Sequence, residues 1–93
     1  MDFSTSRVTV PEYVMARAVG GEMVILNLDS EQYYGLDAVG ASMWTSLTTT
    51  SSIQEAYEAL KAEYDVEADL LRHDLEALIT DLARGGLLEV DDL

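Results

Sequence analysis

Hydrophobic and polar positions alternate along the first part of the chain and then recur at helical spacing. Val8 and Val10 alternate before Pro11 interrupts any continuing ladder, and Tyr13 to Val19 reads as a first strand. Gly20-Gly21 ahead of Glu22 is a hairpin turn signal. Met23 to Leu28 then reads as a second strand, with Val24, Leu26 and Leu28 on one face and Met23, Ile25 and Asn27 on the other. Asp29-Ser30-Glu31 marks a second turn, because Asp and Ser side chains bond their own backbone there. Gln32 to Leu36 is a short third strand.

The period changes at Asp37, a good N-cap, after which Val39, Met43, Trp44 and Leu47 recur as one face of a helix. A Ser/Thr loop at 48–52 follows. Ser52 with Glu55 three residues on is a capping-box pattern for a second helix, lined by Ile53, Ala56, Tyr57, Leu60 and Tyr64. The run "DVEAD" at 65–69 opens a third helix with acidic residues in its first turn, where the helix dipole favours them. Leu71, Leu75, Leu78 and Leu82 give it a core stripe, Gly85-Gly86 ends it, and "LLEV" at 87–90 lies back on the domain.

This order predicts an α+β fold, winged helix-turn-helix-like, in which a three-stranded antiparallel sheet is followed by three helices. A usual winged helix places its hairpin last; here the sheet comes first. Residues 1–93 read as a single domain, with 1–7 a loose N-terminus and 91–93 an acidic tail.

Charge narrows the function. Eighteen acidic residues face five basic ones, for a net charge of −13. Phosphate binding needs a concentrated basic face, so no nucleic-acid partner is expected, and an anionic membrane surface is disfavoured for the same reason. A winged-helix DNA-binding regulator fails on its third helix, where Arg72 and Arg84 are outnumbered by Glu67, Asp69, Asp74, Glu76 and Asp81. There is no cysteine, which excludes disulfides, thiolate metal sites and thiol nucleophiles. No apolar run approaches the roughly 18 residues of a membrane span and no basic n-region precedes one, so a cytoplasmic location is expected.

Catalytic constellations are missing as well. His73 is the only histidine, and one imidazole without further His or Cys does not build a usual zinc site. The carboxylates of the third helix follow helical spacing and lack the alternating ligand pattern of a calcium loop. Ser30 lies in a turn between strands, unlike the helix-opening phosphopantetheine serine of an acyl carrier protein. No enzymatic activity, catalytic residue, metal or cofactor is expected.

Binding remains. The strand Gln32–Leu36 closes the meander with one neighbour, so its far side offers free N–H and C=O groups to a partner strand. Neither Lys nor Pro blunts it. Tyr34 and Leu36 share the core face, while Tyr33 shares the other with Glu31 and Gly35. Proline at Tyr33 or Gln32 is therefore expected to weaken peptide binding more than folding.

The stretch "VILNLDSEQYYGLDAVGASMW", two short helices and "LEALITDLARGGLL" resemble the PqqD-like RiPP recognition elements, in particular the stand-alone members that serve lasso-peptide biosynthesis. The resemblance runs from Val10 to Val90 and rests on a diffuse pattern rather than a catalytic motif. It implies a non-catalytic module that binds the leader segment of a ribosomally made precursor peptide. The leader would dock as an added strand on the third strand, beside the third helix, for delivery to a leader peptidase and a cyclase. An alternative within the family is a chaperone that presents a precursor to a radical-SAM enzyme. Carried onto this chain, the strand edge is Glu31, Gln32, Tyr33, Tyr34 and Gly35. The helix wall is Asp69, Leu70, His73, Asp74 and Ala77, with Leu70 as an apolar floor, Ala77 leaving room, and Asp69 and Asp74 pairing with basic leader residues.

Overall fold

The computed structural model describes residues 1–93 and carries eight elements. They are β1 (Ser6–Thr9), β2 (Val14–Val19), β3 (Glu22–Asn27), β4 (Gln32–Leu36), α1 (Ala38–Thr49), α2 (Ile53–Glu63), α3 (Ala68–Arg84) and β5 (Glu89–Asp92). β2, β3 and β4 form an antiparallel meander in that order, and three helices follow, the α+β, winged helix-turn-helix-like succession that the periodicity predicts.

The chain termini depart from expectation. Residues 1–7 read as a loose lead-in, yet Phe3 is fully buried and Ser6 opens β1, which pairs antiparallel with β5. The acidic tail is likewise structured: Asp91 and Asp92 belong to β5, Thr9 donates its hydroxyl to the Asp91 carboxylate at 2.8 Å, and the Leu93 amide donates to the Thr5 carbonyl at 2.8 Å. The Phe3 ring packs 5.9 Å from that of Tyr57, and the Arg72 guanidinium lies over it at 4.0 Å. One apolar residue among polar neighbours has no period, and a pairing between opposite ends of the chain leaves no local signal.

The sheet packs one face on the helices. Ile25, Asn27 and Leu36 are buried on it, with Met23 and Tyr34 half-buried beside them. Against these residues α1 sets Met43, Trp44 and Leu47, and α2 adds Ile53, Ala56, Tyr57 and Leu60. The stripe of α3 is Leu71, Leu75, Ile79 and Leu82. Ile79 takes the buried place expected of Leu78, which is half-buried.

Caps set the helix starts. The Asp37 carboxylate accepts from the Gly40 amide at 2.8 Å, and the Ser52 hydroxyl accepts from the Glu55 amide at 3.1 Å. The Glu55 carboxylate reaches the Ser51 amide at 2.8 Å, one residue before the N-cap that a capping box would use. α3 begins at Ala68, later than the expected start at Asp65, and its N-cap Glu67 makes no side-chain bond. It ends in a Schellman motif: the Leu87 amide donates to the Leu82 carbonyl at 2.9 Å and the Gly86 amide to Ala83 at 3.1 Å. Gly86 takes the required positive φ of 68°, and the turn sends Leu87 and Leu88 into the core.

Candidate functional site

Which backbone groups of β4 are free follows from the register. Leu28 is next in register with Tyr13 and donates to its carbonyl at 2.8 Å, so the even-numbered residues of β3 bond toward β2. The odd ones, Met23, Ile25 and Asn27, bond toward Leu36, Tyr34 and Gln32 of β4. The amides and carbonyls of Tyr33 and Gly35 therefore point away from the sheet, along an edge that no other strand occupies. Gln32, by the same alternation, turns its amide toward β3. Proline at Gln32 consequently breaks the ladder, and only proline at Tyr33 acts on the free edge alone.

Two contacts fix α3 relative to this edge. At its C-terminal end, the buried Asn27 side chain donates to the carbonyls of Gly85 and Gly86, at 3.3 and 3.5 Å. The same side chain accepts from the amides of Asp29 and Ser30 at 3.0 and 3.1 Å, so one residue both closes the β3–β4 turn and holds the end of α3. At its N-terminal end, Tyr57 donates its hydroxyl to the Ala68 carbonyl at 3.3 Å. There Val39, Met43, Tyr64, Val66, Leu70, Leu71 and Asp74 line an apolar recess of about 100 Å³. Tyr64 is held over the recess by its hydroxyl bond to Ser42 at 2.8 Å. Because Asn27 faces the start of β4 and Val39 follows its end, α3 runs in the opposite direction to β4.

The expected site residues divide as follows. Tyr33 is 76% exposed, Gln32 and Gly35 are exposed, and no atom lies within 4 Å of where a Gly35 side chain would begin. Tyr34 faces the core opposite Ile25. Glu31 belongs to the turn rather than to the strand and takes a φ of 62°, a conformation that costs about 1–2 kcal/mol in a residue with a side chain. Leu70, 54% exposed, and Asp74 line the apolar recess. His73 and Ala77 instead line a shallower groove of about 340 Å³ with Glu76, Thr80, Asp81 and Arg84. Asp69 is exposed in the first turn of α3 and lines neither. Ala77 is the one apolar residue lining the larger groove, whereas every residue lining the smaller recess except Asp74 is apolar, so the recess is the better seat for an apolar side chain. Periodicity does not reveal Val39, Tyr64 and Val66 as recess residues, though Val66, an apolar side chain in an acidic connection, is the one local hint. No group of three His, Asp or Glu side chains converges as a metal site. No helix is long and apolar enough to cross a membrane.

The family model described as Coenzyme PQQ synthesis protein D (PqqD) matches residues 22–88. The structure of TbiB1 in complex with the TbiA(beta) leader peptide is similar over 87% of this chain and 94% of that one, with 33% identity and a TM-score of 0.81. A lasso peptide synthetase B1 complexed with its leader peptide shares the fold at 24% identity and a TM-score of 0.79, over 89% of this chain and 98% of that one. No curated protein matches.

Proposed function

The chain belongs to the PqqD family, and from that premise we propose that it captures the leader segment of a ribosomally synthesised precursor peptide of the lasso type. It does so without catalysis, by adding the leader as an antiparallel strand to β4. The observation that carries this reading is the unpaired edge of Tyr33 and Gly35, and it is supported by an apolar recess on α3 that Val39, just beyond the end of β4, also lines. Main-chain bonds to the edge give affinity regardless of sequence, and the recess selects for side chain. Space at Gly35 admits close backbone approach. One aliphatic or aromatic leader residue fills the recess against Leu70, and Asp74 at its rim takes a Lys or Arg. Asp69, His73 and Ala77 extend the wall that the leader passes. The captured precursor is then delivered to a leader peptidase and a cyclase.

Magnitudes are consistent with reversible capture. An apolar anchor contributes about 1.5–3 kcal/mol, and ordering each leader residue costs about 1–2 kcal/mol. The single anchor therefore offsets the ordering of only a short leader stretch, so the edge hydrogen bonds decide the net affinity and capture stays reversible. The net charge of −13 speeds capture of a cationic leader and makes that rate fall with salt.

The family description favours one second reading, presentation of a precursor to a radical-SAM enzyme of coenzyme PQQ synthesis. The two separate on the partner. Calorimetric titration with leader peptide tests capture itself, and absence of saturable binding refutes both. Co-purification with a leader peptidase supports the lasso reading; co-purification with a radical-SAM enzyme supports the second.

A further inference from the structure

Glu31 stands where a side chain is least at home. Its φ of 62° lies in the left-handed region, which glycine enters freely and asparagine at little cost. The turn around it is held. Asn27 accepts from the Asp29 and Ser30 amides, and the Ser30 hydroxyl accepts from the Gln32 amide at 3.4 Å, so both flanks of Glu31 are fixed. Asn27 also ties this turn to the end of α3 through Gly85 and Gly86. The Glu31 carboxylate takes part in none of these bonds and is exposed. Its side chain therefore does nothing inside the turn that offsets the strain, and residues held in this way cluster where a protein clamps a ligand.

Place and charge define the ligand. Glu31 immediately precedes β4, whose free groups at Tyr33 and Gly35 take the leader. A leader antiparallel to β4 runs from the Leu36 end to the Gln32 end. The residues that pass Glu31 thus lie on the C-terminal side of the docked stretch. The apolar recess that Val39 lines is at the opposite end of β4 and meets the leader earlier in its sequence. Asp29, exposed in the same turn, adds a second negative charge, and the turn from Leu28 to Glu31 holds no Lys or Arg to oppose it. A cation passing here is attracted by both carboxylates, whereas an acidic leader residue is repelled.

We propose that Glu31 is a specificity-determining residue, held in a strained conformation so that its carboxylate pairs with a Lys or Arg just C-terminal to the docked strand of the leader. The inference rests on the leader-capture reading, and it adds which side chain is read at this end and in what order. The leader carries its apolar anchor first and its cation after it. Because the turn is already fixed, pairing orders only the two side chains.

Calorimetric titration of leader peptide into the full chain, as wild type, Glu31→Gln and Glu31→Gly, each with a thermal melt, tests this. Glu31→Gln keeps the strain and removes the charge. It is expected to melt with wild type and to bind about two- to fivefold more weakly at low ionic strength, the range of an exposed ion pair. In about 1 M salt, where the screening length falls to about 3 Å, that difference closes. Glu31→Gly removes strain and charge together, so it is expected to melt above wild type and to bind as weakly as Glu31→Gln. A leader whose Lys and Arg residues beyond the docked stretch are changed to Gln is expected to bind wild type and Glu31→Gln alike. Wild-type affinity in Glu31→Gln at low salt overturns the proposal, and a weakened Glu31→Gly beside it assigns the effect to the backbone. A difference that persists with the neutralised leader overturns it as well. Failure of wild type to bind leader at all defeats the capture reading itself, an outcome distinct from equal binding by wild type and Glu31→Gln.

Discussion

Proline in place of Tyr33 removes one donor from the free edge of β4 and nothing from the ladder. The amides of Gln32, Tyr34 and Leu36 face β3, whereas that of Tyr33 faces outward. Edge strands accept proline where the N–H points to solvent. The Tyr33 side chain, 76% exposed, gives up little packing. Folding stability should therefore change little. An added strand, by contrast, loses a hydrogen bond and leaves its own carbonyl without a partner, at a cost of about 1–3 kcal/mol. That corresponds to roughly a 5- to 150-fold weaker Kd. Tyr33→Ala keeps the amide and so separates side chain from backbone. Calorimetric titration of leader peptide into wild type, Tyr33→Ala and Tyr33→Pro, each with a thermal melt, measures both quantities. Equal affinity for Tyr33→Pro and Tyr33→Ala would refute the strand-addition argument, as would a proline variant whose melting falls in step with its binding.

Four further outcomes follow from the geometry. Leu70→Asp places a charge in the apolar recess and should weaken leader binding by about tenfold or more, the loss of one apolar anchor, with the melting temperature nearly unchanged. Asn27→Ala removes the group that joins the β3–β4 turn to the end of α3; it should cost about 1–3 kcal/mol by denaturant titration and lower peptide affinity as well. Phe3→Ala should destabilise the fold by about 3–5 kcal/mol, where a loose N-terminus would show no change. The Ser4 hydroxyl and amide donate to the Asp2 carboxylate and hold its pKa below the ordinary value of 3.8. Its contribution is thus complete above that value and lost as pH falls through the lowered one, so melts of Asp2→Ala should differ from wild type at neutral pH and converge with it in acid.

The sheet and helices were legible because each has a period of its own. Alternation from Val14 to Leu36 and the caps Asp37 and Ser52 mark local events, and local events leave local signals. The edge of β4 was legible for the same reason, being the last strand of a meander. What could not be read is what depends on distant residues. Phe3 meets Tyr57 and Arg72 across most of the chain, and β1 pairs with β5 from the opposite end of it. Asn27 was placed on one face of its strand with Met23 and Ile25, but its bonds to Gly85 and Gly86 required knowing where α3 ends. The resemblance carried Asp69, Leu70, His73, Asp74 and Ala77 onto α3 as one wall. Instead Leu70 and Asp74 open on one recess and His73 and Ala77 on another groove, because neighbouring elements divide a helical face that spacing alone treats as continuous.

Amide shift mapping of isotope-labelled protein during titration with the leader of its precursor peptide tests strand capture most directly. The account predicts saturable shifts at Tyr33 and Gly35 together with Leu70 and Asp74, and slowed solvent exchange of the two edge amides. Saturable binding whose shifts leave β4 untouched, or no shifts in large peptide excess, would contradict it.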